Sequence, residues 1–284
     1  MTHPLVTTNE VAQRLHDPSL VILDVRHDLA QPERWGEDRY REAHLPRAQF
    51  VHVDRDLSAT KNGRNGRHPL PSPDATAALF SRLGIDESKS VVVYDQDSGM
   101  FAARAWWMLR WLGHESVAVM DGGIAKWARE GRPVTSDVEA PEAATFTARE
   151  AATTADAEDV VHGIEDGSQV LVDARAAERY RGEIEPLDPI AGHIPGALNR
   201  PWGSNVGAEG TFKPANALRA EFAKLLGDTP LDEVVHYCGS GVSACHNLLA
   251  MEIAGLPGTR LYPGSWSEWC ALHPDRNGVA ARSP

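Results

Sequence analysis

The sequence repeats itself. Residues 21–48 read VILDVR…HLPRA and residues 170–197 read VLVDAR…HIPGA. Asp24, Arg26, His44, Pro46 and Ala48 return as Asp173, Arg175, His193, Pro195 and Ala197, all at an offset of 149. In both copies D-x-R is followed, after seventeen residues and without a gap, by H-x-P-x-A. Val91–Tyr94 returns as Val234–Tyr237 at an offset of 143, and Gly122-Gly-Ile-Ala-Lys-Trp127 resembles Gly264-Ser-Trp-Ser-Glu-Trp269 at 142. Three matches in the same order, drifting by a few residues, mark a duplication. The period is far too long for a solenoid. A chain of 284 residues is therefore expected to hold two copies of one domain, 1–132 and 151–284. Residues 133–150, rich in Ala, Pro, Thr and Glu, read as the linker.

Each copy reads as α/β. Val21-Ile-Leu-Asp24 and Val170-Leu-Val-Asp173 are short apolar runs ending in Asp, as buried parallel strands do. Val91–Tyr94 and Val234–Tyr237 supply a second strand, and Ser116–Met120 and Thr259–Tyr262 a third. Helical patterns cover Asp74–Leu83, Arg104–Leu112, Ala217–Leu226 and Ser243–Ile253, the last read as amphipathic. Gly113 and Gly255 stop two of them. Such alternation predicts a parallel sheet covered by helices on both faces.

Charge and composition narrow the function. Lys+Arg number 28 against 40 Asp+Glu, for a net charge of −12, and there is no basic run. This argues against a nucleic-acid or anionic-membrane partner. The start, Met1-Thr-His-Pro-Leu-Val-Thr-Thr8, shows no signal-peptide pattern, and no run of apolar residues is long enough to span a bilayer. Three cysteines, Cys238, Cys245 and Cys270, are too few for a disulfide scaffold. A soluble protein of a reducing, cytoplasmic compartment is expected.

Cys238 directly follows the strand Val234–Tyr237 and opens the loop Cys238-Gly-Ser-Gly-Val-Ser-Ala244 before a helix. Ligands of α/β sheets bind at the carboxyl ends of strands. A glycine-containing loop can turn several backbone N–H groups inward, and a following helix adds its positive end. Both favour the thiolate, the nucleophilic form of cysteine. Cys245 and Cys270 lie in helical patterns and read as small buried hydrophobes. The first copy has Asp95 at the equivalent position, a carboxylate that cannot act as a soft nucleophile.

Two tandem D-x-R…H-x-P-x-A copies, the second with a strand-Cys-Gly-loop-helix, closely resemble the rhodanese superfamily over nearly the whole chain. The resemblance implies a parallel sheet sandwiched by helices in each domain. It implies an inactive N-terminal copy and a catalytic C-terminal one. It also implies a cysteine that accepts a sulfane sulfur as a persulfide and hands it to a thiophilic acceptor. The loop, without a basic residue, looks like the C-G-S-G-V-T-A loop of 3-mercaptopyruvate sulfurtransferases, with Ser243 for Thr. By that likeness Gly239, Gly241, Val242 and Ser243 line the donor, and Ser240 works with His68 and Asp54 to relay protons. His68 lies in Arg67-His-Pro-Leu-Pro71 and Asp54 in Phe50-Val-His-Val-Asp54. Arg179, in Asp173-Ala-Arg-Ala-Ala-Glu-Arg179-Tyr180, falls on the family's substrate arginine, and a guanidinium fork suits a carboxylate. A second substrate arginine would fall on Leu187 and is absent; Arg181 and Arg200 are the candidates to replace it. Asp24/Arg26 and Asp173/Arg175 read instead as structural ion pairs.

Other chemistries fit less well. A cysteine phosphatase needs C-x5-R, and the residue six after Cys238 is Ala244. Cys238 and Cys245 lack zinc-site spacing. The expectation is sulfur transfer from 3-mercaptopyruvate to cyanide, a thiol or thioredoxin, with no metal or organic cofactor. Thiosulfate as donor, or a non-catalytic sulfur-carrier module, are the alternatives.

Overall fold

A computed structural model describes residues 3–151 and 154–278. It divides into two units. Unit 1 holds the described residues of Met1–Ala59, Pro71–Ala152 and Val206–Phe212; unit 2 holds those of Thr60–Leu70, Thr153–Asn205 and Lys213–Pro284. Residues 133–150, read as a linker, are thus part of unit 1. His44 and Thr135 form an antiparallel bridge there, and the Phe146 ring packs against Phe80. The apolar and bridging positions in that stretch are sparse, which is why its composition looked like a linker.

In unit 1 the chain runs β1 (Leu5–Val6), α1 (Thr8–Gln13), β2 (Leu20–Asp24), α2 (Trp35–Glu42), β3 (Ala48–Phe50), α3 (Pro73–Arg82), β4 (Ser90–Tyr94), α4 (Ala102–Trp111), β5 (Val117–Met120) and α5 (Gly123–Arg129). Its sheet has the order β1-β5-β4-β2-β3, parallel throughout. Unit 2 runs α6 (Ala157–Asp166), β6 (Val170–Asp173), α7 (Ala177–Tyr180), β7 (Leu198–Asn199), α8 (Ala215–Leu226), β8 (Val234–Tyr237), α9 (Ala244–Ile253), β9 (Arg260–Leu261) and α10 (Ser265–Leu272). Its sheet, β7-β6-β8-β9, is also parallel. The central strands are buried along their length, as continuous Val/Leu/Ile runs in a doubly covered sheet should be. Among the described residues no helix is long and apolar enough to cross a membrane.

The repeated residues build the same joints twice. Arg26 Nη2 donates to Asp24 Oδ2 (2.6 Å) and to the Ala43 carbonyl (2.7 Å); Arg175 Nη2 donates to Asp173 Oδ2 (2.6 Å) and to the Gly192 carbonyl (2.6 Å). The His44 ring stacks on Tyr40 at 3.9 Å, and the His193 ring on Tyr180 at 3.9 Å. Each pair therefore ties the end of a central strand to the turn before the next. Trp127 and Trp269, equivalent in the repeat, are fully buried, and each indole N–H reaches a backbone carbonyl. These are structural ion pairs and anchors, as expected from their spacing.

One helix departs from expectation. Of α9, Ala244–Met251 is buried throughout rather than amphipathic. Its polar residues are satisfied inside: Asn205 Nδ2 donates to Asn247 Oδ1 (2.7 Å), and Asn247 Nδ2 to the Arg200 carbonyl (3.0 Å). A hydrogen-bonded polar group can be buried at little cost.

Candidate active site

β8 is flanked by β6 and β9 and ends at Tyr237, so Cys238 begins the loop at the carboxyl end of a central strand. Both ends of the cysteine's backbone are held. Its N–H donates to Ser265 Oγ (3.1 Å), and its carbonyl accepts from Trp266 N (3.0 Å) at the start of α10. The next carbonyl, of Gly239, accepts from Ser267 N (3.0 Å). The Ser240 N–H points back at Cys238 Sγ (3.5 Å), a contact that favours negative charge on sulfur. Gly241 sits at φ +77°, where a Cβ would collide with the Pro263 carbonyl, so glycine is required there. Val242 is buried beside it and Ser243 caps α9 without a side-chain cap bond.

Two guanidiniums cover Gly239. A Cβ placed on that residue would lie 2.6 Å from Arg67 Nη2 and 3.5 Å from Arg179 Nη1. Arg179 Nη2 donates to Glu185 Oε1 (2.6 Å) and to Asp188 Oδ2 (3.2 Å), and Arg67 Nη1 pairs with Asp188 Oδ1. Arg175, paired with Asp173, also reaches Glu185 (3.2 Å), so three arginines face three nearly buried carboxylates and their charges balance. Burial raises the Asp188 carboxyl above its usual range, against the lowering effect of Arg67.

His68 is buried, and its Nδ1 lies 2.7 Å from Ser240 Oγ. Thr60–Leu70 counts with unit 2, so Cys238, Ser240, His68, Arg67 and Arg179 share one unit. Asp54 belongs to unit 1, where its carboxylate lies 3.6 Å from His27 Nε2. His27, His52 and Asp54 bring ligand-type atoms within 4.8 Å of one another. However, His52 Nδ1 accepts the N–H groups of Asp54 (3.1 Å) and Arg55 (3.3 Å). In the neutral ring this leaves a proton on Nε2, beside the Glu33 carbonyl (3.4 Å), and no lone pair for a metal.

The model of the rhodanese-like domain matches the chain twice, over residues 7–130 and 156–272. The chain belongs to the rhodanese-like family. Among rhodanese-like relatives, it is 44% identical over 268 residues to a probable 3-mercaptopyruvate sulfurtransferase of Pseudomonas aeruginosa, covering 93% of this chain and 94% of that one. It is 39% identical over 285 residues to a putative thiosulfate sulfurtransferase of Mycobacterium tuberculosis, covering 93% of each. Among solved structures it resembles the 3-mercaptopyruvate sulfotransferase of Escherichia coli, with a TM-score of 0.81, 32% identity, and coverage of 93% of this chain and 99% of that one.

The other rhodanese-like unit shows what this loop does with an anion of its own. Asp95 follows β4 as Cys238 follows β8, and its carboxylate accepts N–H groups from Asp97 (3.1 Å), Gly99 (3.0 Å), Phe101 (2.9 Å) and Ala102 (3.3 Å). Burial still pushes its carboxyl up to about 6. The two other thiols stay out of the site. Cys245 Sγ donates to the Gly241 carbonyl (3.3 Å), and burial pushes the Cys270 thiol up to about 12. Of the two arginines considered in place of the missing one, Arg181 pairs with Glu183 at the surface, and Arg200 bonds to Asn205 and Glu221. Arg67, Asp188 and Ser265 went unread in the sequence. The available signals were the position of Arg67 next to His68 and a serine at Ser265 where the repeat has Gly123.

Proposed function

We propose that the chain is a 3-mercaptopyruvate sulfurtransferase with Cys238 as nucleophile. The Cys238 thiolate attacks the donor's sulfur. An S–S bond forms, the C–S bond breaks, and its electron pair passes to the methylene carbon as the pyruvate enolate. The enolate takes a proton to give pyruvate. A thiophilic acceptor such as cyanide, a small thiol or thioredoxin then attacks the outer sulfur and releases the thiolate. Ser240 and His68, hydrogen-bonded to each other beside Cys238, supply the proton relay. Gly239, Gly241, Val242 and Ser243 shape the loop around the donor, and unit 1 carries no turnover of its own. Cys238, Cys245 and Cys270 form no disulfide among the described residues, which suits a reducing, cytoplasmic compartment.

The observation that carries the donor choice is the charge balance over Gly239. The loop has no cation, and the guanidinium of Arg179 is matched by Glu185 and shares Asp188. A site without net positive charge gives little to a dianion such as thiosulfate, whereas a guanidinium fork still binds one carboxylate. Steady-state transfer to cyanide, with 3-mercaptopyruvate and thiosulfate in parallel, tests this. The expected kcat/KM favours 3-mercaptopyruvate, and Cys238→Ser abolishes transfer from both donors. A preference for thiosulfate contradicts the donor assignment, and activity in Cys238→Ser contradicts the mechanism. His68→Ala should lower kcat by about 100-fold, the scale of general acid–base catalysis; an unchanged kcat removes the relay.

A further inference from the structure

Unit 1 holds an open cavity of about 450 Å³ beside the amino end of β2, away from the carboxyl ends of the strands where an α/β sheet takes its usual ligands. Its size suits a small molecule. Arg47 lines it at a φ of +64°, in the left-handed region, where the repeat has Gly196 at +81°. A side chain persists in that conformation only where its surroundings over-determine it. Arg47 Nη1 donates to the Leu15 and Asp17 carbonyls (both 2.8 Å), which anchors the guanidinium. Its Nε–Nη2 edge makes no hydrogen bond among the described residues. The same edge of Arg26 grips the Asp24 carboxylate in this unit. Lys89, also on the lining, donates to the Pro18 carbonyl (3.1 Å). Glu139 and Glu142 belong to residues 139–144, a strap that forms another part of the lining. A Cβ on Gly84 would meet the Glu142 carbonyl at 2.6 Å, so the strap lies against the end of α3. Arg47, Lys89, Glu139 and Glu142 make no ion pair among the described residues. The third acid of the lining, Asp86, is held by Ser88, whose N–H (2.8 Å) and hydroxyl (2.6 Å) donate to its Oδ1.

We infer that this cavity is a binding site for a zwitterion, an α-amino acid with a small apolar side chain. Charges of both signs that line one cavity without pairing are complementary to a ligand that carries both. The Nε–Nη2 fork of Arg47 suits a carboxylate bidentately, and Lys89 adds a second cation. Glu139 and Glu142 attract the ammonium. Leu20, Val21 and Leu83 lie on the same lining and receive an apolar side chain. A simple anion meets three carboxylates there and a simple cation meets two cations, so neither gains what the zwitterion gains. Unit 2 has no such site at the matching turn, because Gly196 carries no side chain to reach into it. The site is separate from Cys238 and does not depend on the choice of sulfur donor.

Equilibrium dialysis of the full chain against radiolabelled L-alanine tests this without recourse to sulfur transfer. Propionate and ethylamine, which each lack one of the two charges, serve as competitors. L-Alanine should bind once per chain, and each competitor should displace it about tenfold less well than unlabelled L-alanine, the worth of one charge-assisted hydrogen bond. Arg47→Gly gives unit 1 the glycine that unit 2 has at Gly196, so the left-handed turn is kept. It should weaken L-alanine by about tenfold or more. Because that variant also removes two bonds to backbone carbonyls, the double variant Glu139→Gln/Glu142→Gln, at exposed positions, provides a second comparison. It too should weaken L-alanine by about tenfold, while binding of labelled propionate does not fall. No binding of L-alanine at about 10 mM, well above the range of a specific small-ligand site, overturns the inference. Binding that both variants leave unchanged also overturns it, since the amino acid then sits elsewhere on the chain.

Discussion

At the scale of single residues, Ser265 is the informative case. It is a buried serine at φ +54°, in the left-handed region that favours glycine, and its repeat equivalent Gly123 has the same φ of +54°. Holding a side chain there costs on the order of 1 kcal/mol. The hydroxyl repays this by accepting the Cys238 N–H and donating to the Tyr262 carbonyl (2.9 Å). Ser265→Ala keeps the strain and orphans a buried N–H, so it should lower the unfolding free energy measured in urea more than Ser265→Gly does, by about 1 kcal/mol. Equal losses, or a larger loss for glycine, would refute this account. Cys238 was singled out by its place directly after a strand, whereas Ser240 and Arg179 were named through the resemblance to the rhodanese superfamily. Arg67 was not, because a polar loop carries no periodicity and its partner Asp188 lies in a distant segment. No local pattern joins the two.

At the scale of elements, β8 carries a cost beside its function. His236, one residue before Tyr237, is fully buried, and neither ring nitrogen has a hydrogen-bond partner among the described residues. Burial, with a smaller push from Arg200, lowers its pKa to about 3. The unfolded imidazole takes up a proton near pH 6.5, whereas the folded one resists until about pH 3. Its contribution to stability is therefore complete above pH 6.5 and is lost progressively as the pH falls toward 3. His236→Phe should flatten that loss: between pH 7 and pH 4.5 its urea midpoint should fall less than that of wild type. Parallel profiles would contradict the assignment. The strands themselves were readable because doubly covered strands are unbroken apolar runs. The burial of α9 was not, since His246 and Asn247 look solvent-facing until Asn205 is placed against them.

At the scale of the whole molecule, the two copies share a scaffold and differ at the loop after the central strand. Both units keep the Asp–Arg joint and the stacked histidine. Only unit 2 has a thiol at the loop; unit 1 fills the corresponding nest with the Asp95 carboxylate. The repeat also places Ala30 opposite Arg179, so a thiol alone would not equip unit 1. Asp95→Cys in a Cys238→Ser background should leave transfer from 3-mercaptopyruvate absent, and recovered turnover would show that the two units differ only in the nucleophile. The repeat made the two-copy plan visible from sequence. It could not show that Thr60–Leu70 counts with the second unit and Val206–Phe212 with the first, because such exchanges depend on contacts between segments far apart in the chain. The central claim is that Cys238 carries the sulfur. Mixing the protein with one equivalent of 3-mercaptopyruvate, without acceptor, tests it most directly by peptide mass spectrometry and pyruvate release. The account predicts one added sulfur atom on the Cys238 peptide for each pyruvate formed. Pyruvate without sulfur on Cys238, or sulfur on Cys245 or Cys270 instead, would contradict it.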